Sequence, residues 1–161
     1  MKSVDLISVD IAGDGNCYFR SLSVCLHGSQ DHHLQLRNDI IQYMMNSTGE
    51  AGSKQIRRQL ENMKQPGEWV GEAVVQATAC YFKRAVHVFV AVGNSPLIYE
   101  PGEGCAEFAA LRGGTGDPLR VAFMEPGHYK AVIKRNVLPT ITGCVNLPTG
   151  VLNSLRPPSQ C

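Results

Sequence analysis

The stretch that decides the fold is residues 13–22, which read GDGNCYFRSL. Its first four residues form a dense turn signal, and apolar residues at helical spacing follow, so a helix is predicted to begin at or near Cys17. Backbone N–H groups at the start of a helix favour a thiolate and can donate to an oxyanion. Cys17 is therefore a candidate nucleophile, although an arbitrary cysteine is more often a small buried residue.

Outward from this stretch, the chain carries helical patterns first and strand patterns later. Helices are predicted over residues 31–45, around 56–63 and over 72–82, and strands at 85–92, 97–100, 119–124 and 128–134, with a short strand or extended lead-in at 4–11. This order predicts an α+β fold with a small, mostly antiparallel sheet packed between helices.

The second predicted helix has one apolar face. Leu34, Ile41 and Met45 share that face and are predicted to point toward the core. Arg37 and Asp39 lie off the face, so solvent is expected to surround both charges.

Size and charge restrict the classes of function. The 161 residues, 43% of them hydrophobic, fit one domain with a core. A net charge of +1 gives no general attraction to nucleic acid. No stretch approaches the roughly 18 apolar residues of a membrane helix, and acids stand where a signal peptide is apolar. The expectation is a cytoplasmic monomer, with a nuclear location as the alternative, and without nucleic-acid or membrane partners.

The last residues differ in composition from the rest. After about residue 135 the apolar periodicity fades, charge nearly vanishes and prolines interrupt the chain. Residues 1–135 are therefore predicted to form the domain and residues 136–161 a C-terminal tail or linker. A short helical segment is also predicted at 106–111.

The six cysteines do not form a metal-binding pattern. No CxxC pair occurs, so no zinc site or other metal site is predicted, and no cofactor is expected. Disulfides are not expected either, because a core-sized domain without a signal sequence suits a reducing compartment.

Five histidines compete to be the base for a nucleophilic thiol. His27 ends a predicted helix, His32 and His33 begin one, and His87 lies inside a valine-rich strand. His128 opens a strand directly after a tight turn, where its side chain can face a cleft. On position alone His128 ranks first.

These residues carry a resemblance to a known family. Residues 13–22 resemble the nucleophile motif of the OTU (ovarian tumour) cysteine deubiquitinases, and residues 127–133, GHYKAVI, resemble that family's histidine strand. Between them, residues 69–77 and 86–88 resemble its tryptophan-glycine helix and central strand. The three blocks occur in the family's order over about residues 5–134.

The resemblance implies a papain-like fold of the OTU type and a thiol hydrolase acting at the C-terminus of ubiquitin or polyubiquitin. Cys17 would attack the carbonyl, and His128 would accept the thiol proton and later protonate the leaving amine. Asp14 belongs to the catalytic signature and would hold the oxyanion loop, which comprises Asp14, Gly15, Asn16 and Cys17. The product would be a thioester acyl-enzyme that water hydrolyses.

One position departs from the family pattern. Many members place Asp or Asn two residues after the histidine to orient the imidazole, and here that residue is Lys130, which cannot accept a hydrogen bond. Asp10 is the candidate for an orienting acid, and Asp5 and Glu125 are weaker ones. The alternative is a catalytic dyad, with Asp10 as a solvated charge.

Other side chains have less specific interpretations. Trp69 is either a wall of the substrate cleft beside the histidine or a core residue that anchors a helix. Arg20 is either a charge on the helix surface or a structural partner of an acid, and the pairing is the favoured interpretation. Glu103 and Glu107 either meet the basic tail of ubiquitin or lie in a solvated loop.

Three further functions are compatible with the sequence. The domain could bind ubiquitin with little turnover, for which Lys130 is the best support. It could also be an OTU-type protease acting on another ubiquitin-like modifier or on a viral or transposon polyprotein. A redox sensor, with Cys17 paired to a second thiol, would form no acyl-enzyme.

Overall fold

The computed structural model describes residues 5–48, 54–90, 95–102, 117–124 and 126–137. The elements in this part of the chain are, in order, β1 (Leu6–Val9), α1 (Cys17–His27), α2 (His33–Thr48), α3 (Lys54–Met63), α4 (Glu72–Phe82), β2 (Val86–Val90), β3 (Leu97–Tyr99), β4 (Leu119–Met124) and β5 (His128–Lys134), with a 3-10 turn at Arg135–Val137. Helices therefore precede most strands, as predicted. The bounds of α4, β4 and β5 are the predicted ones.

The strands form a single five-stranded sheet in the order β1-β5-β4-β2-β3. Of its four pairings only that between β2 and β4 is parallel, so the predicted α+β class with a small, mostly antiparallel sheet is confirmed. β1 pairs with β5 so that Val9 lies opposite Ala131. Residues 13–16, which precede the candidate nucleophile Cys17, are called the nucleophile turn. The pairing of β1 with β5 brings the segment before this turn beside the strand that begins at His128.

The helices cover one face of this sheet and enclose the core. Its main cluster takes residues from every helix and from β2 and β4, among them Tyr18, Phe19, Leu22, Ile40, Ile41, Leu60, Val74, Val75, Val86, Val88, Leu119 and Val121. A second cluster joins Cys17 and Val24 of α1 to Val9 and Ala131 of the β1–β5 pair. The start of α1 is therefore packed directly against β5.

The buried face of α2 differs from the predicted one. Ile41 is buried, but Leu34 is 48% exposed and Arg37 only 1% exposed. The prediction for Leu34 and Arg37 was wrong because it assumed that a charged side chain faces solvent. Arg37 can be buried because four oxygen atoms accept hydrogen bonds from its guanidinium group.

Several sequence predictions fall wholly or partly outside the described residues. The segment 106–111, Glu103, Glu107 and Glu125 lie there, as does the predicted tail from residue 138 onward.

Cys17 and Cys25 are free thiols. Cys80 takes part in a disulfide, contrary to expectation, and its partner is not among the described residues. No described helix has the length and apolarity to cross a bilayer.

Candidate active site

The turn before α1 is held by hydrogen bonds to Asp14. Its Oδ1 accepts from the backbone N–H of Asn16 at 3.1 Å, and its Oδ2 lies 2.6 Å from Nη2 of Arg20. The Arg20 guanidinium, followed by the Asn16 groups, holds the pKa of the Asp14 carboxyl far below its usual range. Asp14 is thus a charged positioning group, and the predicted pairing of Arg20 with an acid is confirmed.

Gly15 brings this turn against a second loop. Its φ is +79°, and a Cβ at this position would lie 2.2 Å from the carbonyl oxygen of Gly67. The side-chain oxygen of Asn16 accepts from the N–H of Gly67 at 2.7 Å. Only glycine permits this approach. The nucleophile turn and the loop of residues 64–71, which contains Trp69, therefore pack directly against each other.

Cys17 is the first residue of α1 and is 8% exposed. The backbone N–H of Tyr129 donates to its Sγ at 3.4 Å. Tyr129 directly follows His128 on β5. This bond therefore joins the candidate nucleophile to the strand that carries the candidate base. The Tyr129 ring packs on Tyr18 with a centroid distance of 5.0 Å, which gives the site an aromatic floor.

Cys17 and His128 line the same cavity, of about 440 Å³. All five histidines lie in the described part of the chain, and His128 is the one that reaches this cavity. Its other lining residues are glycines and rings for the most part: Gly13, Gly15, Tyr18, Trp69, Val70, Gly71, Phe123, Pro126, Gly127 and Tyr129. No acid, lysine or arginine is among these described lining residues.

Trp69 lies on the wall of the cavity beside the histidine strand. The indole is 68% exposed, so it is not a core residue. Gly127 has φ of +140°, and a Cβ there would lie 2.5 Å from Cζ3 of Trp69. The ring therefore rests on the backbone just before His128, which is the position that the cleft-wall interpretation requires.

Asp10 lies near the site, but its carboxylate is engaged by Lys130. Oδ1 of Asp10 is 2.5 Å from the Lys130 ammonium. The register that pairs Val9 with Ala131 sets Asp10 beside Lys130, and His128 shares a face of β5 with Lys130. Asp10 is thus diagonal to His128. Asp5, the weaker candidate, is paired with Arg135 on the far end of β1.

The sequence of the chain matches a family of cysteine proteases. Residues 12–129 match the sequence model of the OTU-like cysteine protease family. The chain belongs to this family. Its OTU domain is 38% identical over 141 residues to the OTU-domain deubiquitinating enzyme 9 of Arabidopsis thaliana, covering 86% of this chain and 39% of that protein. The chain spans only 12% to 59% of the length of the curated relatives it matches.

Solved structures show the same fold. The OTU domain of OTUD1 superposes with a TM-score of 0.60 at 21% identity, over 80% of this chain and 86% of that one. The Hazara virus OTU bound to ubiquitin has a TM-score of 0.60 at 14% identity, over 81% and 82% of the two chains. The papain-like OTU-type fold expected from the resemblance is confirmed.

Two features of this OTU domain were not predicted from the sequence. Arg37 joins the turn of Gly15 to the loop that carries Trp69, and the N–H of Tyr129 contacts the Cys17 sulfur. Neither has a sequence signal, since a lone arginine on a helix and a backbone amide on a strand are ordinary. In the described residues no group of three or more His, Cys, Asp or Glu could hold a metal ion.

Proposed function

We propose that this OTU domain is a cysteine-dependent deubiquitinase, which hydrolyses the isopeptide or peptide bond at the C-terminal glycine of ubiquitin. The observation that carries the proposal is that Cys17, at a helix start, and His128 line one cavity. The name of the Arabidopsis relative and the ubiquitin in the Hazara virus complex support the substrate class. A cytoplasmic location and a monomeric state belong to the same proposal.

The proposed reaction has two halves. His128 accepts the thiol proton, and the Cys17 sulfur attacks the carbonyl carbon to form a tetrahedral oxyanion. His128 then protonates the leaving amine, which departs and leaves a thioester on Cys17. Water, deprotonated by His128, attacks the thioester carbonyl and forms a second tetrahedral intermediate. This intermediate collapses and releases the carboxylate, and His128 returns the proton to the Cys17 sulfur.

The oxyanion donors come from the start of α1. The N–H of Asn16 already donates to Asp14, so it is not a donor to substrate in this conformation. The N–H of Cys17 lies in the first helical turn, where backbone N–H groups have no acceptor within the helix. Loss of one such donor typically costs about 10²–10³ in kcat.

The shape and charge of the cavity fit the glycine end of a ubiquitin tail. Gly13, Gly15, Gly71 and Gly127 lie on its walls, so a substrate backbone can approach closely. Uncharged walls suit a substrate residue without a charged side chain next to the scissile bond, and glycine is such a residue.

The decisive experiment is reaction with ubiquitin whose C-terminus carries an α,β-unsaturated methyl ester, to which a thiolate adds as a stable thioether, followed by intact mass and peptide mass spectrometry. The expected result is one ubiquitin adduct, on Cys17. His128→Ala should form it at least about 100-fold more slowly, since general base assistance contributes roughly 10²–10⁴. His87→Ala is the matched control, because His87 also lies on a strand but does not line the cavity.

Absence of an adduct on folded wild-type protein would contradict the proposal. The same unsaturated ester on other ubiquitin-like proteins then tests the second protease function. An adduct on a different cysteine, with Cys17 unmodified, would also refute the assigned site.

One observation favours a second candidate function, a ubiquitin-binding domain with little turnover. The Lys130 ammonium neutralises Asp10, so the candidate orienting acid has a partner other than His128. We nevertheless assign Asp10 the role of orienting acid, since a carboxylate has several acceptor positions and can serve two donors.

Asp10→Ala should therefore lower kcat/KM for a fluorogenic ubiquitin amide by at least about tenfold, well short of the roughly 10⁴-fold loss when a full triad loses its acid. Lys130→Met is the matched variant, because it breaks the same ion pair and keeps the carboxylate; its kcat/KM should not fall. Equal losses in both variants would mean that the pair is only structural. Unchanged kinetics in Asp10→Ala would remove Asp10 from the site.

A further inference from the structure

Arg37 is a buried cation on α2 that donates into two separate loops. Its side chain is 1% exposed and its ring-facing side stacks on Phe19, with Cζ 4.6 Å from the centroid. Every acceptor is a neutral oxygen, so no carboxylate contacts the guanidinium. Burial of a charge without a contacting counter-charge is costly. A residue of this kind at the edge of the candidate site is better explained by positioning than by stability.

The first arm of Arg37 holds the nucleophile turn. Nη2 donates to the carbonyl oxygen of Gly15 at 3.2 Å and to Oδ1 of Asn16 at 3.1 Å. Because a trans peptide points its C=O and N–H in opposite directions, fixing the Gly15 carbonyl also fixes the Asn16 N–H toward Asp14. The Gly15–Asn16 peptide, which lies one peptide before the N–H of Cys17, thus has both ends held.

The second arm holds the loop between α3 and α4. Nη1 donates to the carbonyl oxygens of Met63 at 2.7 Å and Glu68 at 3.0 Å. Met63 is the last residue of α3, and Glu68 precedes Trp69. One guanidinium therefore fixes this loop at its start and again directly before Trp69, whose ring lies on the wall of the cavity.

We propose that Arg37 is a positioning residue for the reaction, which fixes the Gly15–Asn16 peptide of the turn before Cys17 relative to the loop that carries Trp69. The inference rests on the proposed function of the Cys17–His128 site. A planar fork with donors on both sides is needed, because the acceptors lie in two loops. Lysine has a compact ammonium and cannot span them.

The test compares Arg37→Lys and Arg37→Gln with Arg57→Lys, whose side chain is exposed on α3. With a fluorogenic ubiquitin amide, kcat of both Arg37 variants should fall about 100-fold, because the Gly15–Asn16 peptide that Arg37 holds directly precedes the Asn16–Cys17 peptide, whose N–H is the proposed oxyanion donor. Affinity for ubiquitin with a C-terminal aldehyde, which forms a tetrahedral adduct on Cys17, should fall by the same factor. Alkylation of Cys17 by iodoacetamide creates no oxyanion and should stay close to the wild-type rate.

Two results overturn the inference. Unchanged kcat in a folded Arg37→Lys or Arg37→Gln protein removes the role outright. Equal losses in kcat, iodoacetamide reactivity and circular dichroism signal mean a general structural defect. The glutamine variant carries no buried charge, so it tests the inference if the lysine variant does not fold.

Amide hydrogen exchange separates this inference from the proposed function. In the Arg37 variants, exchange should accelerate together in residues 13–17 and 64–69, with α4 unchanged and Arg57→Lys like wild type. If wild-type protein does not act on ubiquitin, the substrate assignment fails, and joint acceleration still supports the coupling of the two loops. Exchange that does not change in either segment refutes the coupling whatever the substrate is.

Discussion

Cys17→Ala is expected to lower kcat for ubiquitin amides by roughly 10⁶-fold, because loss of the nucleophile of a catalytic triad has an effect of this order. Affinity for ubiquitin should be retained, since the substitution removes only one largely covered sulfur atom. The measurements are single-turnover cleavage of a fluorogenic ubiquitin amide and calorimetric titration with ubiquitin.

Cys25→Ala is the matched control for this substitution. The Cys25 thiol donates to the carbonyl oxygen of Arg120 at 3.2 Å, away from the cavity. Burial raises the pKa of the Cys25 thiol to about 11, so it is not a thiolate at neutral pH. This variant should cleave at the wild-type rate. Undiminished cleavage by Cys17→Ala would refute the whole assignment.

Gly15→Ala should damage both stability and activity. The new Cβ would lie 2.2 Å from the Gly67 carbonyl oxygen and would occupy a left-handed backbone conformation. Such a conformation costs about 1–3 kcal/mol for a non-glycine residue. The two loops must separate, and a shift of about 1 Å at the nucleophile can reduce the rate about 100-fold. Thermal unfolding and kcat/KM for the ubiquitin amide measure the two effects.

Gly13→Ala is the matched control for stability. No atom lies within 4 Å of a Cβ at Gly13, and its φ is not in the left-handed region. The same methyl group in the same turn should therefore leave the midpoint of thermal unfolding near that of wild type. If both variants unfold alike, the contact between Gly15 and Gly67 does not stabilise the turn.

The sequence predicted those parts of the fold that depend on local pattern. The helix at Cys17 follows from a glycine-rich turn before apolar residues, and β4 and β5 follow from two apolar strands around a proline-glycine turn. The candidate catalytic residues were predicted from the family motifs, which no periodicity argument could replace. Position alone only ranked His128 first among the histidines.

What the sequence could not predict depends on contacts between distant segments. The parallel pairing of β2 with β4 and the contact of Asp10 with Lys130 are set by how strands meet in space. Arg37 was assigned to solvent because its acceptors are carbonyl oxygens supplied by loops 22 to 31 residues away. Backbone oxygens have no signature in the sequence, so a buried arginine that binds them resembles an exposed one.

Because β5 is the last strand of the sheet and fills the gap between β1 and β4, a chain still on the ribosome has an incomplete sheet until that strand emerges. Synthesis proceeds from the N-terminus, and Tyr129, which donates to the Cys17 sulfur, follows it by 112 residues. The thiol of a nascent chain therefore lacks both the histidine and its backbone donor. Any proteolysis by this domain begins only after translation has passed its final strand.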